Sequence, residues 1–119
     1  MRVLLADDSS TMRSILRRSL RTLGVSDIVE AADGVQAIEL FQEGGVDLVL
    51  TDWNMPGKTG LEVARAIRAV DKHVPIIMIT TEAERGRVLE AVQSGVTDYL
   101  IKPFSVGTLE QKLERFALL

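Results

Sequence analysis

The sequence predicts an α/β protein with a doubly wound parallel sheet of five strands and five helices. Short, continuous apolar runs alternate with longer amphipathic segments along the 119 residues. A strand buried on both faces lacks the polar–apolar alternation of a half-exposed strand, so these runs are typical of a parallel sheet covered by helices. Strands that alternate with helices need crossover connections, which favours an open, doubly wound sheet. The length fits a single domain, which we expect to span residues 1–119.

The first half of the chain contains three of the predicted strands, at residues 3–6, 28–32 and 46–51. The first and third are continuous apolar runs, whereas the second is less apolar and is typical of an outer strand. Ser9 or Ser10 can cap the helix that follows the first strand, and Gly24 can end it. The second helix is expected to begin after Asp33 and to end at Gly44–Gly45, since aspartate favours helix starts and glycine favours helix ends.

The second half contains the other two strands, at residues 76–79 and 98–101. A loop with Pro56 and Gly57 leads to the third helix, whose apolar residues follow helical spacing. The fourth helix is expected to include Gly86 near its start, at a cost of about 1 kcal/mol relative to alanine, and to stop at Gly95. Ser105 can cap the fifth helix. Strands and helices therefore alternate over the whole chain, as the fold class requires.

Composition excludes several classes of function. There are no cysteines, which rules out disulfides, thiolate metal sites and thiol nucleophiles. The net charge of −3 argues against direct nucleic-acid binding, because phosphate backbones require a strongly basic surface. The apolar runs are too short to span a membrane, and no signal-peptide pattern follows the first residues. We therefore expect a cytoplasmic protein that does not bind membranes.

One helix surface is predicted to be basic. Arg13, Arg17 and Arg21 recur at intervals of four residues, with Arg18 beside them, so they share one side of the first helix. Such a stripe is usually a solvated surface, and the alternative is a docking surface for an acidic partner. The sequence leaves both interpretations open.

Polar residues follow all five predicted strands at their carboxyl ends, namely Asp7 and Asp8, Asp33, Asp52, Thr80 and Lys102. In a parallel sheet these ends share one edge, so the side chains should meet in one crevice. Mg²⁺ prefers carboxylate and phosphate oxygens, and Asp7, Asp8 and Asp52 supply the carboxylates. Helix capping is the alternative for Asp8, but it is compatible with metal binding and leaves Asp52 and Lys102 unexplained.

The same crevice suits transfer of a phosphoryl group. A carboxylate can attack phosphorus and form an aspartyl phosphate. The transfer requires in-line positioning and neutralisation of the phosphoryl oxygens, which Mg²⁺, the Lys102 ammonium and the Thr80 hydroxyl could provide. A surface lysine is the simpler interpretation of Lys102, but Lys-Pro-Phe directly after an apolar strand favours a functional lysine. The sequence is also compatible with a cis Lys102–Pro103 bond.

Five segments, in order, resemble the receiver domains of two-component response regulators, specifically the single-domain chemotaxis (CheY-like) type. They are LLADDSSTMR, EAADGVQAIE, DLVLTDWNMPGKTG, PIIMITTEAE and GVTDYLIKPF. The resemblance implies a flavodoxin-like sheet with strand order 2-1-3-4-5. It also implies a phosphorylation-dependent signalling switch rather than a metabolic enzyme: a histidine kinase donates the phosphoryl group, the protein catalyses its own aspartyl phosphorylation and dephosphorylation, and a downstream protein target binds the altered surface.

The resemblance assigns roles to the crevice residues. Asp52 would be the phosphoacceptor, and Thr80 and Lys102 would bind the phosphoryl group. The implied ligands of Mg²⁺ are Asp8, Asp52, the backbone carbonyl of Asn54 and, through water, Asp7.

Further roles concern switching and the lifetime of the phosphoryl group. Thr80 would act with Tyr99, whose ring would change rotamer on phosphorylation; a half-buried edge tyrosine is the alternative. Asn54 and Glu82, each two residues after a site residue, would tune dephosphorylation towards a short-lived phosphoryl state. The protein is expected to act as a monomer. The implied partner-binding face carries Val88, Tyr99, Ile101 and Lys112.

Two alternative functions remain. The chain could be a receiver taken from a larger regulator, with the same site chemistry. It could also be a small phosphatase that uses an aspartate nucleophile, Mg²⁺ and a lysine. That class places its nucleophile after the first strand with a second aspartate two residues later, and Asp7-Asp8-Ser9 breaks this spacing. Turnover of a phosphomonoester would distinguish a phosphatase from a switch.

Overall fold

The computed structural model describes residues 1–81 and 86–119, and within them the chain forms one five-stranded sheet and five helices. The strands are β1 (Arg2–Ala6), β2 (Asp27–Ala31), β3 (Leu48–Asp52), β4 (Ile76–Thr80) and β5 (Asp98–Ile101). The helices are α1 (Ser10–Thr22), α2 (Gly34–Gln42), α3 (Gly60–Arg68), α4 (Val88–Gln93) and α5 (Val106–Arg115). Neighbouring strands are parallel in the order β2-β1-β3-β4-β5, which confirms the predicted doubly wound sheet. Of the helices in the described part of the chain, none has the length and apolar character needed to cross a membrane.

The sheet separates two apolar layers. Leu16 and Leu20 of α1 and Leu109 and Leu113 of α5 pack together on one face. Residues of α2 and α3, with Ala91 of α4, pack on the other. Every residue of β3 and β4 is buried, as continuous apolar runs predict for strands covered on both sides. The carboxyl ends of these central strands are consequently rigid supports for the residues that follow them.

Several strand boundaries differ from the prediction by one residue: β1 begins at Arg2, β2 covers Asp27–Ala31 and β4 extends to Thr80. Two other boundaries, those of β3 and α4, differ further. β3 begins at Leu48 rather than at residue 46, because Asp47 is bound to the start of β1. The Asp47 N–H donates to the Arg2 carbonyl at 2.8 Å, and its carboxylate accepts from the Arg2 N–H at 2.8 Å. Gly86 was expected inside the fourth helix but lies before it, since residues 86 and 87 adopt a 3₁₀ conformation and α4 begins at Val88 without a side-chain cap.

The loop between β3 and α3 folds back closely at Gly60. A Cβ atom at this position would lie 2.3 Å from the Asp52 carbonyl oxygen and 2.9 Å from Met78 Sδ. The Gly60 N–H donates to the Trp53 carbonyl at 2.8 Å. Only glycine permits so close an approach, and the approach fixes the backbone at the end of β3.

The parallel register brings the carboxyl ends of the strands to one edge. Asp52 at the end of β3 pairs with Ile79, next to Thr80 at the end of β4. Asp7 follows β1 and Lys102 follows β5 at the same edge. The fold thus brings together the residues that the sequence placed in one crevice.

Candidate functional site

Three aspartates meet at the carboxyl edge of the sheet. Asp7, Asp8 and Asp52 each offer one carboxylate oxygen, and these oxygens lie within 4.8 Å of one another. Asp7 is 1% exposed and Asp52 is 9% exposed, whereas Asp8 is exposed to solvent. The cluster therefore combines two buried acids with a third that solvent can reach.

Asp7 is held by three hydrogen bonds. Its N–H donates to the Ala31 carbonyl at 3.1 Å, its carbonyl accepts from Arg13 Nη1 at 2.6 Å, and its Oδ1 accepts from the Ser9 N–H at 2.9 Å. Its second carboxylate oxygen, Oδ2, is buried and has no hydrogen-bond partner among the described residues. Lys102 Nζ lies 3.7 Å from this oxygen. A buried carboxylate oxygen without a donor is costly unless a cation compensates it.

Asp52 contacts the same lysine as Asp7, namely Lys102. Its Oδ1 accepts from the Trp53 N–H at 2.9 Å and from Lys102 Nζ at 3.1 Å. The Lys102–Pro103 bond that precedes α5 is cis, in agreement with the sequence-based expectation. Because Lys102 lies near both buried acids, a single ammonium group offsets the charge of two carboxylates.

Burial disfavours the charged forms of both acids. It raises the pKa of Asp52 above the usual value, and the neighbouring Asp7 carboxylate raises it further, against the lowering effect of Lys102 and the Trp53 N–H. Burial also raises the pKa of Asp7, while the Ser9 N–H and Lys102 lower it. The folded chain consequently holds an excess of negative charge in a poorly solvated place, and a divalent cation would relieve it.

The donor set fits a hard divalent cation such as Mg²⁺. Its members are carboxylate oxygens, and Asp7 Oδ2 is a buried oxygen for which the described residues provide no donor. Mg²⁺ usually takes one or two carboxylates and retains several water molecules, which the exposure of Asp8 permits. Asp7, Asp8 and Asp52 are therefore together, as the sequence predicted, in an arrangement that could hold the ion.

Three other predicted site residues are Thr80, Asn54 and Glu82, and the structure describes the first two. Thr80 is 1% exposed at the end of β4, and its hydroxyl donates to the Thr81 carbonyl at 3.3 Å. Asn54 is exposed on the loop that follows Asp52. Glu82 lies outside the described residues, so its predicted role in dephosphorylation stays a prediction.

Tyr99 lies half-buried on β5 between two grooves. The smaller groove, of about 110 Å³, runs along α4 and is lined by Val88 and Tyr99. The larger, of about 330 Å³, lies between β5 and α5 and is lined by Tyr99, Ile101 and Lys112. The four residues predicted for the partner-binding face thus line two neighbouring grooves that share the tyrosine.

Ion pairs that the sequence analysis missed connect β5 and α5 beside Tyr99. Asp98 is buried; its Oδ1 accepts from Lys112 Nζ at 3.1 Å and its Oδ2 accepts from Arg115 Nη1 at 3.0 Å. Lys112 Nζ also lies 5.0 Å from the centroid of the Tyr99 ring. The available signal was an aspartate at the first position of a buried strand, together with two basic residues three apart in the last helix.

The basic stripe on α1 divides into two parts. Arg13 and Arg17 both pair with Glu30 on β2, and the Arg13 Nε–Glu30 Oε1 distance is 3.1 Å. Arg18 and Arg21 are exposed. Neither a solvated surface nor an acidic docking surface describes Arg13, whose guanidinium is largely buried between Glu30 and the Asp7 carbonyl. The helical spacing located Arg13 on α1, but its acidic partner lies on a different element.

Comparison with known proteins identifies relatives over most of the chain. The family model for the response regulator receiver domain matches residues 3–114. The chain is 45% identical over 117 residues to the chemotaxis protein CheY of Pseudomonas aeruginosa, covering 97% of this chain and 94% of the relative. It is 46% identical to the chemotaxis protein CheY-3 of Vibrio cholerae, covering 97% and 90%.

Solved structures of receiver proteins also match the fold of this chain. The chemotaxis response regulator CheY4 of Vibrio cholerae matches with a TM-score of 0.88 and 36% identity, over 97% of each chain. The receiver domain of a Pseudomonas aeruginosa sensor histidine kinase matches with a TM-score of 0.87 and 33% identity, over 97% of this chain and 95% of that one. That receiver domain was solved with a magnesium ion coordinated in its active-site cleft.

Proposed function

The chain belongs to the response regulator receiver family, and from this membership we propose that Asp52 accepts a phosphoryl group from the phosphohistidine of a partner kinase. It is a CheY-type receiver domain, a phosphorylation-dependent signalling switch of two-component systems. The observation that carries the proposal is the convergence of Asp7, Asp8 and Asp52 with the Lys102 ammonium at one sheet edge.

The proposed reaction moves one phosphoryl group between two side chains. An Asp52 carboxylate oxygen forms a bond to phosphorus as the bond from phosphorus to the donor's histidine nitrogen breaks. The released histidine takes up a proton, and the product is an acyl phosphate on Asp52. Lys102 Nζ lies 3.1 Å from Asp52 Oδ1, so its ammonium group is near the place where a phosphoryl oxygen on Asp52 would need neutralising.

The residues that would hold Mg²⁺ are Asp8 and Asp52 directly, Asp7 through water, and the backbone carbonyl of Asn54. When bound, the ion would neutralise carboxylate and phosphoryl oxygens that Lys102 alone leaves uncompensated. Asp7 Oδ2, which has no hydrogen-bond partner among the described residues, and the raised pKa of Asp52 support this assignment.

The proposed switch acts through Thr80 and Tyr99. The present hydrogen bond of the Thr80 hydroxyl, to the Thr81 carbonyl at 3.3 Å, is long for an O–H donor. A phosphoryl oxygen would offer a shorter, charge-assisted bond, which would draw the hydroxyl towards Asp52. Tyr99 would then change rotamer, and the two grooves along Val88, Ile101 and Lys112 would change shape for a downstream protein.

The proposal includes a short-lived phosphoryl state, with Asn54 and Glu82 bordering the path of the attacking water. A phosphorylated form that persisted for hours in the presence of Mg²⁺ would contradict it. We further propose that the protein works in the cytoplasm as a monomer over residues 1–119. A receiver that forms part of a larger regulator would share the same site chemistry.

The test is the intact mass of the protein after incubation with acetyl phosphate, with and without Mg²⁺. We expect one phosphoryl group on the wild type, only with Mg²⁺, and its loss on standing. Asp52→Asn should acquire none, since an amide is not a nucleophile towards phosphorus. An adduct that persists in Asp52→Asn, or a wild type that remains unmodified by acetyl phosphate and by a phosphorylated histidine kinase, would overturn the proposal.

A parallel assay addresses the phosphatase alternative. A small phosphatase would turn over p-nitrophenyl phosphate many times per molecule, whereas a switch should release no more product than the background. The same preparations, including Asp52→Asn, serve as samples and controls.

A further inference from the structure

We propose that Arg13 is a positioning residue for the metal site, holding Asp7 in place from outside the acidic cluster. The inference rests on the proposed function, because it concerns the Mg²⁺ site of that same switch. Its basis is the contact of the Arg13 guanidinium with the backbone carbonyl of Asp7, at 2.6 Å.

Asp7 has four polar atoms, and three of them are engaged. The N–H is bound to β2 through Ala31, Oδ1 is bound by the Ser9 N–H, and the carbonyl is bound by Arg13. These bonds fix both the backbone and one carboxylate oxygen, so the remaining oxygen, Oδ2, has a defined position inside the cluster. Arg13 supplies the only one of the three bonds that depends on a distant side chain.

Arg13 is itself held firmly. Nε donates to Glu30 Oε1 at 3.1 Å while Nη1 donates to Asp7, so the two ends of the planar guanidinium are bound to different partners. The Arg13 side chain is 18% exposed and that of Glu30 is 28% exposed. In addition, the Arg13 N–H donates to the carbonyl of Ser9, the N-cap of α1, so backbone and side chain both bind the segment that carries the aspartates.

The sign of the effect separates positioning from simple electrostatics. Arg13 is a cation close to a cation site, and by charge alone its removal should tighten Mg²⁺ binding. If Arg13 instead orders Asp7, its removal should weaken Mg²⁺ binding, because a less ordered ligand pays more conformational entropy when it binds. Losses of about tenfold are typical when groups that orient metal ligands are removed.

Arg17 provides a matched control. It lies one turn further along α1, carries the same charge and pairs with the same Glu30, but it makes no contact with Asp7 in the described structure. Arg13→Met and Arg17→Met therefore each remove one positive charge and one ion pair with Glu30, but only Arg13→Met also removes the contact to the Asp7 carbonyl.

The experiment measures the Mg²⁺ dissociation constant of the wild type and of Arg13→Met, Arg17→Met and Arg13→Lys. Trp53, the only tryptophan and the neighbour of Asp52, provides a fluorescence signal at 25 °C, and the rise of Tm with Mg²⁺ concentration provides a second readout. We expect the constant to rise about tenfold in Arg13→Met, to stay within about twofold in Arg17→Met, and to recover in part in Arg13→Lys, which restores a cationic hydrogen-bond donor at this position.

The outcomes distinguish this inference from the proposed function. A wild type that binds no Mg²⁺ at millimolar concentration would contradict the proposed metal site itself. A wild type that binds normally, with Arg13→Met binding equally well or more tightly, would overturn the positioning role alone. Equal losses in Arg13→Met and Arg17→Met would also overturn it, since the effect would then belong to Glu30 or to helix stability.

Discussion

Replacing Asp52 by asparagine should make the Mg²⁺-free protein more stable, although the residue is buried and hydrogen-bonded. Asp52 has two carboxylate neighbours, Asp7 and Asp8, within 4.8 Å and one ammonium neighbour, Lys102, at 3.1 Å. An asparagine Oδ1 can still accept from the Trp53 N–H and from Lys102. The substitution therefore removes the charge and retains the principal hydrogen bonds.

The magnitude follows from these distances. At an effective dielectric constant of about 20, two unit charges 4.8 Å apart repel by about 3.5 kcal/mol, and opposite charges 3.1 Å apart attract by about 5 kcal/mol. The two repulsions exceed the one attraction by about 2 kcal/mol, and solvent around the exposed Asp8 reduces this difference. Burial acts in the same direction, since it is the main cause of the raised pKa of Asp52. We expect the free energy of unfolding to rise by about 1–2 kcal/mol, or Tm by about 4–8 °C.

The effect should depend on pH with a definite sign. Because the pKa of Asp52 is higher in the folded than in the unfolded chain, the ionised carboxylate destabilises the fold at pH 7. As the pH falls through the folded value, wild-type Asp52 becomes protonated and the repulsion disappears. The advantage of Asp52→Asn over the wild type should thus be larger at pH 7 than at lower pH, and it should decline as the pH approaches the ordinary pKa value of 3.8.

The assay is urea denaturation in EDTA, followed by far-UV circular dichroism at pH 7 and at pH 4.5. Asp98→Asn is the matched control: it is the same substitution of a buried aspartate, but Asp98 pairs with Lys112 and Arg115, so we expect a loss of about 1–3 kcal/mol. A less stable Asp52→Asn at pH 7, or an advantage that did not decline at lower pH, would refute the reasoning.

Two other substitutions probe the same edge of the sheet. Gly60→Ala should lower the free energy of unfolding by more than about 2 kcal/mol in a urea titration and should slow phosphorylation, because its Cβ would lie 2.3 Å from the Asp52 carbonyl oxygen; an unchanged stability would show that the loop can yield. Lys102→Met should bind Mg²⁺ at least as tightly as the wild type in a Trp53 fluorescence titration, yet acquire the phosphoryl group more slowly by intact mass; weaker Mg²⁺ binding would show instead that Lys102 orders the carboxylates.

The elements that depend on local chemistry were predictable from the sequence. The buried strands β3 and β4 follow from continuous apolar runs, and Ser9 and Ser105 cap α1 and α5 as expected. The start of α4 differs from the prediction. The sequence analysis places Gly86 inside the helix, whereas the backbone becomes α-helical only at Val88.

The contacts of the candidate site can also be divided into those that the sequence predicts and those that it does not. The sequence predicts that Asp7, Asp52 and Lys102 lie close together, because the carboxyl ends of parallel strands lie at one edge of the sheet. The sequence does not predict the contacts of Arg13 and Asp98, because each contact joins two elements whose relative position depends on packing. Glu30 lies 17 residues from Arg13, and Lys112 lies 14 residues from Asp98. Neither separation has the periodicity that identifies neighbours within a helix or along a strand.

The shortness of α4 has a consequence for the cost of signalling. The helix has six residues, of which Ala91 is buried while Leu89 is 70% exposed and Val92 is 54% exposed. So short a helix forms few internal hydrogen bonds and derives little stability from the core. Its amide hydrogens should therefore exchange with solvent through local openings whose free energy is far below the global free energy of unfolding. The amides of β3 should exchange only when the whole domain unfolds. A signal that reorganises α4 therefore has little native structure to break, and a partner that covers the exposed Leu89 and Val92 would itself supply much of the order of the active form.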